Sequence, residues 1–313
     1  MGITDKVKSV VKGTMITGLT IHFFNNIFHN ISIDENITDS EGTYYKGQFG
    51  DIFYKESGEG EPILLVHRIS PEMSSYEWDN LVPFLSKDHM VFTLDLPGCG
   101  FSDKDELCYT DFFYSKVLED FARNIIKDPC TVITSGNSAI PVIIMDSFND
   151  KVFNKIVCID PPKIAKSVSN ISPIQTIMAK MIKLPVIGTF LYDFSMTESS
   201  IHNKYTLRYF KNRDSASIDF CKALRESAQL GSGRGRFLFA SLISGNINSY
   251  LSSDIYQNIS NLFIVRCSFK KLNKLFLKQT ANAKELTLFD LGRLPHIEYP
   301  ELLVKKFHDI SLL

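Results

Sequence analysis

No two of the six cysteines (Cys99, Cys108, Cys130, Cys158, Cys221, Cys267) are spaced C-x-x-C, and they are dispersed through apolar surroundings. That pattern disfavours a zinc site or a disulfide framework and favours buried free thiols in a reducing interior. No charge of either sign dominates: 34 basic against 35 acidic residues leave a formal charge of -1. An electrostatic footprint for nucleic acid is therefore missing. Internal repeats and low-complexity tracts are absent, and no run of about 20 apolar residues offers a bilayer-spanning helix. The expected location is the cytoplasm, with neither cofactor nor metal implied.

What is present divides the chain. Residues 1–33 place Lys6, Lys8 and Lys12 ahead of Ile16, Leu19, Phe23, Ile27 and Ile31 at near-helical spacing, with His22, Asn25, Asn26 and His29 on the other face. This amphipathic pattern suits a peripheral membrane contact or packing against a protein surface. From residue 50 onward, strand-like runs (Gly50 to Lys55, Pro62 to Val66, Met90 to Leu94, Thr131 to Thr134, Ile156 to Ile159) alternate with helical patterns. Such alternation predicts a mostly parallel sheet covered on both faces. Residues 163–255 are dominated by helical patterns, and strands resume at Leu262 to Arg266 and Leu286 to Phe289. The expected organisation is an N-terminal helix (1–33), a first core part (34–162), a helical lid (163–255) and a second core part (256–313).

Four motifs carry chemistry. His67-Arg68-Ile69 follows the strand ending at Val66 and leads to Ser74-Ser75-Tyr76-Glu77-Trp78. Asp95-Leu96-Pro97-Gly98-Cys99-Gly100-Phe101-Ser102-Asp103 reads D-x-P-G-x-G-x-S-D. Gly136-Asn137-Ser138-Ala139-Ile140 reads G-x-S-x-G with Ile140 in place of the last glycine. The fourth is Leu294-Pro295-His296-Ile297-Glu298-Tyr299-Pro300-Glu301. Together, and in this order, they resemble the α/β-hydrolase superfamily, in particular a lid-bearing, esterase-like branch found in Firmicutes. The resemblance spans about residues 50 to 310. It implies an α/β-hydrolase fold with an inserted helical lid and a nucleophile elbow, where a serine on a sharp strand-to-helix turn attacks an ester.

On that resemblance Ser138 is the candidate nucleophile, with the backbone N-H groups of Ile69 and Ala139 as oxyanion donors. The family's histidine stands directly before Leu-Pro, where this chain has Arg293, and a guanidinium stays protonated and cannot act as a base. His296, three residues on, is the substitute base. The usual acid position, past the strand ending near Cys267, reads Ser268-Phe269-Lys270-Lys271-Leu272-Asn273-Lys274, and no carboxylate occurs from Ile255 to Lys284. Asp160, after the strand ending at Ile159, is the substitute acid, with a plain Asp-Pro turn as its alternative reading. Arg68 replaces the glycine of the family's His-Gly-x. Arg68 and Arg293 thus form a candidate ligand-binding pair, since guanidinium forks match carboxylates and phosphates. Two functions remain open: a serine hydrolase of small or lipophilic esters using Ser138, His296 and Asp160, or an inactive relative that binds a small anionic or lipophilic ligand or a protein partner. Gly231-Ser232-Gly233-Arg234-Gly235 lacks a preceding strand and reads as a turn rather than a phosphate loop.

Overall fold

A computed structural model describes residues 41–148, 152–162, 171–247, 259, 261–268, 283–289 and 291–312. The amphipathic pattern of residues 1–33 and the lysine-rich stretch after Ser268 lie outside the described residues.

Among the described residues, eight strands form one sheet: β1 (Thr43–Gly47), β2 (Gly50–Ser57), β3 (Glu61–Val66), β4 (His89–Leu94), β5 (Cys130–Ser135), β6 (Phe153–Ile159), β7 (Leu262–Ser268) and β8 (Lys284–Phe289). Their order is β1-β2-β4-β3-β5-β6-β7-β8. β2 runs antiparallel to β1 and β4, and every other pairing is parallel. The parallel strands are apolar on both faces because helices cover both. Leu64, Val66, Val132, Ile156 and Cys158 enter one core cluster, while their neighbours Ile63, Leu65, Ile133, Val157 and Ile159 enter the other. This alternation follows from the two-residue side-chain period of a strand.

Between strands lie α1 (Val82–Leu85), α2 (Asp111–Phe121) and α3 (Ala139–Phe148). The Thr110 side chain caps α2 by accepting from Phe113 N at 3.1 Å. Among the described residues, five α-helices lie between β6 and β7: α4 (Pro173–Lys183), α5 (Ile187–Ser195), α6 (Glu198–Arg208), α7 (Ile218–Gln229) and α8 (Arg236–Ile243). They coincide with the helical block read in the sequence. One of their clusters, with Ile201, Tyr205, Phe210, Phe220 and Leu224, packs against Met73 after β3 and Leu294 after β8. Gly231, Ser232 and Gly233 all have left-handed φ (75°, 56° and 71°) and form the turn ahead of α8. α9 (Pro295–Glu298) and α10 (Pro300–Asp309) follow β8. No single helix among the described residues is long and apolar enough to cross a membrane.

The D-x-P-G-x-G-x-S-D loop is a brace built from its own polar groups. Asp95 Oδ1 accepts from Ser75 N at 2.6 Å and Oδ2 from Phe101 N at 2.8 Å. Ser102 Oγ accepts from Phe53 N at 2.8 Å and donates to Asp95 O at 2.5 Å. Gly100 (φ 46°) sits so close to the Asp95 carboxylate that no β-carbon fits. All six cysteines are free, as expected; four are buried, Cys267 is partly so and Cys108 is exposed.

Candidate functional site

Parallel strands bring the loops after β3, β5, β6 and β8 to one edge of the sheet, where open α/β sheets hold their ligands. This places Arg68, Gly136, Asp160 and Arg293 as neighbours.

The turn from β5 to α3 decides what the site contains. Ser135 ends the strand in extended conformation (φ -114°), Gly136 turns left-handed (φ 59°), and the chain is helical from there on. The apex of the elbow is therefore Gly136, two residues before Ser138. Read on this backbone, the small-x-nucleophile-x-small frame is Thr134-Ser135-Gly136-Asn137-Ser138, and its central position has no side chain. Ser138 lies in the first helical turn, fully buried. Its Oγ is 3.0 Å from Val66 O and 2.9 Å from Ser135 O, one of which takes its proton, and it accepts Ser135 N-H at 3.2 Å. The hydroxyl ties the end of β3 to the elbow.

The space ahead of Gly136 is filled. A β-carbon built there would overlap Cζ and Nη1 of Arg68 and stand 2.6 Å from Nη2. The Arg68 guanidinium thus occupies the volume into which a nucleophile would project. It lies over the Tyr209 ring at 4.7 Å, and Arg293 lies over the same ring at 5.1 Å. Arg293, held by its N-H to Tyr209 O at 2.6 Å, pairs with Asp160. Burial disfavours the Arg68 charge, but Tyr209, Glu77 and Asp160 outweigh it and raise its pKa above the ordinary arginine value.

The remaining candidates are held elsewhere. His296 Nε2 meets Glu77 Oε1 at 3.0 Å, and its ring packs on Trp78 at 4.5 Å, fully buried. Glu77 Oε2 accepts Arg68 N-H at 2.7 Å. Burial pushes the Glu77 carboxyl up, but the hydrogen bond and charge of His296, then the charge of Arg68, bring it down to about 2. Ile69 N donates to Asn137 Oδ1 at 3.0 Å while Asn137 Nδ2 donates to Ile69 O at 3.0 Å, so the side chain of Asn137 closes the first oxyanion donor. Ala139 N-H is spent on the carbonyls of Gly136 and Asn137. His67 is structural too: its Nε2 accepts from Leu96 N at 2.9 Å, which puts the proton on Nδ1, aimed at Arg68 O at 2.8 Å.

The expected relay of Ser138, His296 and Asp160 is thus not formed: Ser138 bonds backbone, His296 bonds Glu77, and Asp160 bonds Arg293. The two arginines, expected to converge near Ser138, both lie over the ring of Tyr209, a residue that the sequence reading did not single out. Missed in the sequence were Gly136 as the elbow apex, Asn137 as a plug and Glu77 as the partner of His296. A glycine directly after a strand and before a helix was the available signal for the first, because only glycine turns left-handed there without strain. No cluster of metal-ligating side chains occurs among the described residues.

The α/β-hydrolase fold is what known proteins share with this architecture. A family model for the alpha/beta hydrolase fold matches residues 61–138 and so ends within the elbow. Over 86 residues the chain is 31% identical to the 2-hydroxy-6-oxo-6-(2'-aminophenyl)hexa-2,4-dienoic acid hydrolase of Metapseudomonas resinovorans, a match spanning 27% of this chain and 29% of that protein's length. Among solved structures, the epoxide hydrolase CorEH superposes with a TM-score of 0.68 at 15% identity, covering 86% of this chain and 99% of the other. The meta-cleavage product hydrolase CumD of Pseudomonas fluorescens gives 0.65 at 16% identity, with 86% and 98% covered. The chain therefore has the α/β-hydrolase fold: a mostly parallel eight-stranded sheet flanked by helices. The organisms named are Proteobacteria, and the narrower Firmicutes branch gains no support.

Proposed function

We propose that this chain is a hydrolase-fold protein that binds a small ligand beside the elbow without serine-ester turnover. One observation carries the reading: the elbow apex is Gly136, and Arg68 fills the place of the missing side chain. A serine needs a base within hydrogen-bond reach, and Ser138 has only backbone neighbours. The base position holds Arg293, already paired with Asp160. The degenerate triad, expected from the sequence at Arg293 and 268–274, extends on this reading to the nucleophile itself. The helices between β6 and β7 would serve as a wall or lid beside the elbow, with Tyr209 as its contribution to the site.

The test is hydrolysis of short-chain p-nitrophenyl esters by wild type and Ser138→Ala, with a serine esterase run in parallel. The expected result is no turnover above background in either protein. Turnover in wild type that disappears in a folded Ser138→Ala variant refutes the reading and restores Ser138 as a nucleophile.

A further inference from the structure

Nε and Nη2 of Arg68 are both buried and have no hydrogen-bond partner among the described residues. These two donors form one edge of the guanidinium, the parallel fork that grips two acceptor oxygens at once. The residue is only 7% exposed. Buried donors are nearly always satisfied, and leaving a charged one without acceptor is costly. The fork is also held in place: the Arg68 backbone is fixed to Glu77, the guanidinium packs on Tyr209, and the bare Gly136 gives it room.

Resting on the non-hydrolytic reading above, we propose that the ligand of this site is a small monocarboxylate, gripped side-on by the Nε and Nη2 donors of Arg68 at the elbow apex. A carboxylate supplies two oxygens in the plane and at the spacing of the fork, whereas a neutral ester or amide carbonyl supplies one. A phosphate dianion fits less well because the carboxylates of Glu77 and Asp160 already face Arg68, and a second negative charge would be repelled by both. The arginine that excludes the nucleophile is, on this inference, what recognises the ligand. Arg293, paired with Asp160 and partly exposed, contributes charge at the rim without supplying the fork.

The experiment is a thermal-shift titration of the full chain with acetate, propionate and benzoate at constant ionic strength, with inorganic phosphate and chloride as further arms. For wild type the melting temperature should rise with carboxylate concentration as mass action requires. Arg68→Lys, which keeps the charge and loses the fork, should weaken apparent affinity by about tenfold or more, and Arg68→Gln should abolish it. Because Arg68 is buried, Gly136→Ala serves as a second variant: it keeps the arginine, displaces the fork, and should weaken binding by a similar factor. Phosphate shifting wild type as much as the carboxylates, an equal response in wild type and Arg68→Gln, or no carboxylate response at all would overturn the inference. Ester turnover dependent on Ser138 is the separate result that removes the reading beneath it.

Discussion

Substituting Gly136 and Arg68 together tests whether one has grown into the space of the other. Gly136→Ala forces a non-glycine residue to φ 59°, at about 1–2 kcal/mol. It also drives a β-carbon into the Arg68 guanidinium, and overpacking of that kind costs about 1–3 kcal/mol. The single variant should therefore lose about 2–5 kcal/mol in total. Arg68→Ala removes the obstructing group and two unpartnered donors along with the contact on Tyr209, so its own cost should be small. In the double variant only the backbone strain remains, and the cycle should return a coupling of about 1–3 kcal/mol, the overlap energy alone. Equilibrium urea unfolding followed by far-UV circular dichroism gives the four free energies. Additive effects, or a Gly136→Ala variant as stable as wild type, would refute the geometry at the apex and the claim that Arg68 stands in for the nucleophile.

Ser138→Ala should behave as a structural substitution, costing about 1–2 kcal/mol because it leaves Ser135 N-H without its acceptor in a buried turn; the same unfolding assay reads it. Arg293→Gln should shift stability by less than about 1 kcal/mol, since its ion pair with Asp160 is partly exposed and screened. For Glu77 the folded pKa, about 2, lies below the ordinary glutamate value of 4.5, so its contribution is complete above pH 4.5 and is lost as pH falls toward 2. Wild type should therefore lose stability steeply over that acid window, and Glu77→Gln, less stable at neutral pH by about 3 kcal/mol or more, should lose it more gradually; parallel slopes in pH-dependent melting would contradict the assignment.

The strands and the helical pattern between β6 and β7 were legible because each is written in local signals, apolar runs and helical spacing; the D-x-P-G-x-G-x-S-D loop was legible as a motif, but its hydrogen bonds to Ser75 and Phe53 reach 20 and 49 positions away and leave no local trace. Arg293 was legible as the residue before Leu-Pro, where the resemblance expects the base, but its ion pair with Asp160 joins two residues that the sequence reading had not connected. The elbow was not legible. Glycine and serine stand two residues apart at 136 and 138, so two frames of the same pattern fit the sequence, and only the φ of Gly136 selects between them. Serine in an elbow motif invites the wrong choice, since nothing local reveals that its hydroxyl is taken by Val66 and Ser135. His296 and Glu77 are separated by more than 200 positions, and a pair formed by tertiary folding leaves no spacing to read. Arg68 and Gly136 are legible together only after the fold is known: an arginine that replaces a glycine needs the room that a glycine replacing a nucleophile provides.

Intact-mass analysis after treatment with a fluorophosphonate, which bonds only an activated hydroxyl, shows whether position 136 or 138 is where a nucleophile stands. It compares wild type with the triple variant Gly136→Ser, Arg68→Gly, Arg293→His, in which Asp160 is kept as the acid and the new histidine stands beside it. Wild type should stay unmodified, and the variant should carry one phosphonyl group, mapped by peptide sequencing to position 136. Labelling of wild type at Ser138, or of the folded variant at 138 instead of 136, would contradict it.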